Sequence, residues 1–195
     1  MRPLTVQDLV PADEYERIRQ DFRRRIIALK ERRRISVGDL VTLVFENRDT
    51  ILFQIQEMLR AERIVAAERV REEVNTYNEQ IPDAGELSAT LLIEVTDWAR
   101  VKPVLDLFQG IDRGQTVAIR VGAHLLYGVF EQGRSKDDKI SAVHYVRFAV
   151  PEPVKAEMQD DRTPMEILID HPGYQARAKV PDALRTSLLA DLNSD

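Results

Sequence analysis

The chain contains no cysteine, so disulfides, thiolate metal sites, iron–sulfur ligation and cysteine nucleophiles are all excluded. No apolar run approaches the roughly 20 residues a membrane-spanning helix needs, and the start, MRPLTVQDLVPADEYERIRQ, has no apolar signal core. A soluble cytoplasmic protein without membrane contact is expected. Gly-x-Gly-x-x-Gly, the phosphate loop ending in Gly-Lys-Ser/Thr and Gly-x-Ser-x-Gly are all missing. Nucleotide binding and serine nucleophilic catalysis therefore have no sequence support. Glu-x-x-His is absent as well, which removes the ligand set of di-iron and di-manganese bundles. No metal and no cofactor are expected.

What is present is ordinary globular composition, 44% apolar against 31% charged over 195 residues. That length suits a single domain spanning 1–195, helical over about 1–81 and sheet-rich over about 86–195. The net charge of -5 is uneven: residues 1–75 carry +1 and residues 76–195 carry -6. An acidic second half argues against a nucleic-acid footprint.

Tyr15, Ile18, Phe22, Ile26 and Leu29 recur at three- or four-residue spacing, which predicts a helix from Pro11 to about Arg34 with arginines over its other faces. ISVGDLVTLVFE then loses that period and is β-branched, giving a strand around Leu40–Phe45. Asn47 or Asp49 caps a second helix running to about Arg63. AAERVREEVNTYNEQIP is helical again until Pro82, after a bend near Ile64 and Val65. ELSATLLIEV and QTVAIRV are strands on either side of a helix that Asp97 caps and Gly110 ends. HLLYGVFEQ and KISAVHYVRFAV flank the polar loop GRSKDD as one hairpin, and MEILID and YQARAKV flank HPG as another. PEPVKAEMQDD between them is a loop or short helix, and Pro181 opens a final helix. The result is an α+β fold: N-terminal helices packed on a mostly antiparallel sheet, with one internal and one C-terminal helix.

Candidate sites cluster on the first two helices. Arg23, Arg24, Arg32 and Arg33 could hold an anion or an acidic partner, since guanidinium forks match oxyanions, or could form a solvated helix face. On the second helix Glu57 and Arg60 share a side with Phe53, whereas Glu62 falls inside the apolar stripe of Ile51, Leu52, Ile55, Met58 and Leu59. A carboxylate there requires compensation. Either Glu57 and Glu62 join Arg60, Arg63 or an arginine of the first helix in a buried or half-buried ion-pair network, or they belong to a pocket with raised pKa values and act as acid or base. His144 alternates with Ala142, Val146 and Phe148 and is expected in the core with a hydrogen-bond partner. His171 lies beside Asp170 in a tight turn, where a carboxylate could orient the imidazole or simple turn chemistry could suffice. His124 has no evident companion.

FENRDTILFQIQEMLRAERI, then YNEQIPDAGELSATLLIE, KISAVHYVRF and IDHPGY, resemble an uncharacterised bacterial family of about this length, a domain of unknown function, over roughly Arg34 to Val180. The resemblance implies an accessory role in redox or peroxide metabolism, through gene neighbours that encode rubrerythrin-like and iron–sulfur reductase proteins. Without cysteine, the chain would not itself carry the electrons. Two functions follow from these features. One is a non-catalytic protein, a homo-oligomer subunit or an accessory factor that recognises a protein partner through its acidic sheet half or its Arg-rich helix. The alternative is an enzyme or small-molecule binder with a site where the second helix meets the sheet, built from Glu57, Arg60, Glu62, Arg63, Tyr77 and His171.

Overall fold

The computed structural model describes residues 1–131, 133 and 140–194; of the polar loop read at 133–138, residues 134–138 lie outside them. Helix α1 (Ala12–Arg32) buries Tyr15, Phe22 and Ile26 as their spacing demands, while Ile18, read onto the same face, is 39% exposed. Strands β1 (Arg34–Val37) and β2 (Val41–Glu46) form a hairpin around Gly38, whose φ of +73° suits a residue without a Cβ. A methyl group there would come within 2.1 Å of the Tyr174 hydroxyl. The sequence predicts a single strand in this region, and the structure adds β1.

Helix α2 (Arg48–Ala61) starts at Asn47, whose side chain accepts from Thr50 N while the Thr50 hydroxyl accepts from Asn47 N. It is followed by α3 (Ala67–Asn78) and β3 (Glu86–Ile93). A single 3-10 turn capped by Asp97 leads into α4 (Val101–Leu107), the late start that Pro103 demands. Then come β4 (Val117–Val121), β5 (His124–Tyr127), β6 (Val129–Phe130), β7 (Val143–Ala149), α5 (Glu152–Met158), β8 (Met165–His171), β9 (Tyr174–Lys179) and α6 (Asp182–Leu192). The segment 152–158 is therefore a second internal helix.

The strands build two antiparallel sheets, one of order β1-β2-β3-β7-β6 and one of order β5-β4-β8-β9, so the fold is α+β. The hairpin expected across residues 124–150 is divided between them. Val129 and Phe130 pair with β7, but His124–Tyr127 pair back onto β4. The chain changes sheet at Gly128, where a Cβ would meet Val146 Cγ2 at 2.5 Å. The main core lies between the sheets and α4, α5 and α6, around Phe45, Leu91, Phe108, Ile119, Phe148 and Leu188. A smaller core under α2 and α3 gathers Leu4, Ile51, Ile55, Val74 and Ile81.

Arg33, an anion-binding candidate, is buried. Its guanidinium pairs with Asp191 of α6 and donates to the Phe45 carbonyl (2.8 Å), the Glu46 carbonyl (3.1 Å) and the Ser187 hydroxyl (2.7 Å). Burial raises the Asp191 carboxyl above its ordinary value, against the pull of Arg33. Four of the five Arg33 N–H donors are thereby engaged inside the protein and the side chain is buried, so this is an internal clamp and not an anion-binding surface. Arg23, Arg24 and Arg32 are solvated, with Arg24 paired to Asp21 one turn away.

Candidate functional site

The Glu57 cluster joins two helices. Arg19 of α1 donates to Glu57 through Nε (2.8 Å) and Nη2 (2.7 Å), and the Tyr15 hydroxyl donates to Glu57 Oε1 (2.8 Å). One turn further along α2, Arg60 Nε donates to Glu16 Oε1 at 2.6 Å. The hydrogen bonds from Arg19 hold the Glu57 carboxyl below its usual range, whereas burial holds the Tyr15 hydroxyl above its own. A carboxylate lowered in this way and accepting three donors is a poor general acid or base at neutral pH. The raised-pKa expectation for Glu57 is thus reversed, and the ion-pair expectation holds for Glu57 with an arginine of the first helix.

Glu62 departs further from the sequence. Helix α2 ends at Ala61, so Glu62 is its exposed C-cap and not a member of the buried stripe. Arg63 follows in the left-handed region, at φ 54°. Arg63 N donates to the Arg60 carbonyl (3.3 Å) and Ile64 N to the Leu59 carbonyl (2.9 Å), the two bonds of a Schellman motif with arginine where glycine is usual. The 100° periodicity therefore stops before it reaches Glu62.

Tyr77 is half-buried against the smaller core, and burial raises its hydroxyl. His171 lies elsewhere. Its Nδ1 accepts from Gly173 N (3.2 Å) and its Nε2 reaches the Gln109 carbonyl (3.1 Å), while Asp170 accepts from Gln175. The ring is a turn strut between β8 and the end of α4, with no carboxylate orienting it. His144 is buried with Nε2 at 2.8 Å from the Ser141 carbonyl, and His124 does have a companion, Glu157, at 3.0 Å. Among the described residues no three His, Asp or Glu side chains gather into a metal set, and no helix is long and apolar enough to cross a membrane.

Beside the Glu57 cluster is a groove of about 570 Å³. Leu9, Val10 and Pro11 form one wall, and Leu59, Ile64, Val65 and Val70 another, with Tyr15, Glu16, Arg60 and Arg63 among the polar lining residues. The helices meet each other here, not a sheet. Two side-chain amides fix the first wall: Gln56 accepts from Val10 N (2.6 Å) and donates to Val10 O (3.3 Å), and Asn78 does the same for Leu4 (2.8 and 2.9 Å). Both amides escaped sequence reasoning, because their partners lie 46 and 74 residues away. Arg60 is met by Glu16, but Arg63 has no ion pair among the described residues. Val65 stands 85% exposed at the rim.

No curated protein matches the chain. A crystal structure of a novel protein of unknown function from Burkholderia pseudomallei K96243 is 32% identical and has a TM-score of 0.90, covering 98% of this chain and 100% of that one. The family model described as Protein of unknown function (DUF3501) matches residues 3–192, so the likeness extends past Arg34–Val180 to take in α1 and α6, and the chain belongs to that family.

Proposed function

We propose that the protein is a non-catalytic accessory factor that binds a partner protein through the groove between its N-terminal segment and α1–α3. The occupant is a short apolar segment carrying an acidic residue toward Arg63. The groove carries this reading: its walls are apolar, its Glu16–Arg60 pair is internally neutral, and its remaining charge is the guanidinium of Arg63. A non-glycine residue held at positive φ is the kind of strain that persists at binding sites. The resemblance that implies redox or peroxide metabolism directs the search to an electron-carrying partner, since this chain has no thiol of its own. The groove's volume also lies in the range of small-molecule sites, roughly 300–1,000 Å³, which keeps an apolar metabolite as the second reading.

The test is a photo-crosslinking side chain placed at Val65 in the native host, with the same side chain at exposed Arg177 as the control. Binding of the recovered partner to the purified chain, weakened about tenfold or more by Leu59→Asp, supports the proposal. Adducts only between copies of this chain would assign the groove to a homo-oligomer and overturn it. So would a small apolar molecule co-purifying in the groove with no protein adduct at Val65.

A further inference from the structure

Strand β5 is an edge of the second sheet, paired among the described residues only with β4. Gly128 N donates to the Val117 carbonyl (2.8 Å), so Gly128 and, by the alternation of an antiparallel ladder, Leu126 and His124 turn their main-chain groups toward β4. The N–H and C=O groups of Leu125 and Tyr127 therefore face away from the sheet, where no described residue pairs with them. Their side chains stand out as well. Leu125 is 43% exposed, Tyr127 38% and Val129 70%, alternating with buried Leu126, Gly128 and Phe130.

Sheet edges in soluble proteins are usually guarded by charge, by shortness or by a covering element. The other edges here follow that rule. Strand β9 carries exposed Arg177 and Lys179 and meets β1, where the Tyr174 hydroxyl donates to the Val37 carbonyl (2.9 Å), and β6 is only Val129–Phe130. From Leu125 to Phe130, by contrast, no residue carries a charge. A two-fold axis through Leu126 sets Leu125 of one copy opposite Tyr127 of the second, and Tyr127 opposite Leu125. Each pair then exchanges both N–H···O bonds and packs an aliphatic side chain on a ring. The flanking charges raise no repulsion across that axis, because Arg120 is paired with Glu166 and His124 with Glu157 (3.0 Å). An unrelated strand would satisfy the main chain alone, whereas a second copy also returns an apolar row to the apolar row.

We propose that two copies of the chain pair antiparallel through β5, joining their four-stranded sheets into one continuous sheet. The joint is a single strand pair, smaller than the roughly 800 Å² per partner of a standard interface, so the dimer is weak and forms as concentration rises. Sedimentation equilibrium over about a hundredfold range of concentration should show that rise. Leu125→Lys combined with Tyr127→Lys sets lysines opposite one another at both pairs and should weaken self-association about tenfold or more. Cysteines read the register, since the chain has none of its own. In a glutathione redox buffer, a mixture of Leu125→Cys and Tyr127→Cys chains should crosslink about tenfold or more faster than either alone, because opposed positions stand about 5.5 Å apart and like positions about 7–8 Å. Circular dichroism confirms that the lysine variant is folded, and the cysteine mixture carries the test if it is not. A wild type that stays monomeric throughout, a dimer that the folded lysine variant leaves intact, or equal crosslinking in the mixture and in the single variants would overturn the proposal.

Discussion

Arg63→Gly should stabilise the fold while weakening whatever the groove binds. Arg63 occupies the left-handed position after α2 at φ 54°, where a Cβ crowds the following carbonyl at a cost of about 1–2 kcal/mol. Glycine removes that crowding but adds backbone freedom to the unfolded chain, which offsets about 0.5–1 kcal/mol. The two ranges leave a net gain of about 0–1.5 kcal/mol, which for a chain of this size should raise Tm by up to about 6 °C. The Schellman bonds at Arg60 and Leu59 involve only main-chain atoms and survive the change. Arg63→Ala is the informative companion, because it deletes the guanidinium but keeps the Cβ. It should leave Tm near wild type while losing partner affinity as fully as the glycine variant does. Thermal melts followed by circular dichroism, together with titration of the crosslinked partner, read both quantities. A fall in Tm for Arg63→Gly would show that the arginine side chain stabilises the helix end, and would remove strain as a mark of function here.

Three further outcomes concern the charged side chains. Asp191→Ala should lose about 3–5 kcal/mol in denaturant melts by leaving Arg33 buried without its partner, whereas Arg33→Met combined with Asp191→Leu should lose much less. Glu62→Ala should change stability by no more than about 0.5 kcal/mol, since the residue is an exposed C-cap. Glu57 titrates below its ordinary value, so its stabilisation is complete above the unfolded carboxyl pKa of about 4.3 and fades as pH falls through the lower folded value. Wild-type Tm should therefore drop more steeply than that of Glu57→Gln when melts are run from about pH 5 downward.

The elements that could be read from the sequence are those whose pattern is local. Tyr15, Phe22 and Ile26 mark α1, and Asn47 marks the start of α2, because a helix repeats its own geometry within a few residues. Sheet membership is not local. Leu126 and Phe130 both point into the core and sit in one apolar run, yet they belong to different sheets. What divides them is the tight fit of Gly128 against Val146 and Phe148, strand neighbours that its own sequence does not reveal. Glu62 shows the converse: the helical period continues in the sequence past the point where the helix stops, and arginine at position 63 hides the stop that glycine would announce.

The same contrast separates the two charged clusters. The Glu57 cluster was partly legible, because an acidic residue on one helix and arginines on its neighbour suggest a pairing wherever the two helices pack. Arg33 was not. It stands in a run with Arg32 and Arg34, both exposed, and composition cannot say which of three arginines turns inward. The choice is made by where α1 ends. Arg32 is the last helical residue, Arg33 caps the helix, and the chain enters β1 at Arg34. That one step sends the Arg33 guanidinium beneath α6, to a carboxylate 158 residues away. Buried charge requires a partner, and here the partner comes from the far end of the chain. An arginine run that looks like an anion-binding face is thus divided by a helix terminus into two solvated side chains and one internal tie.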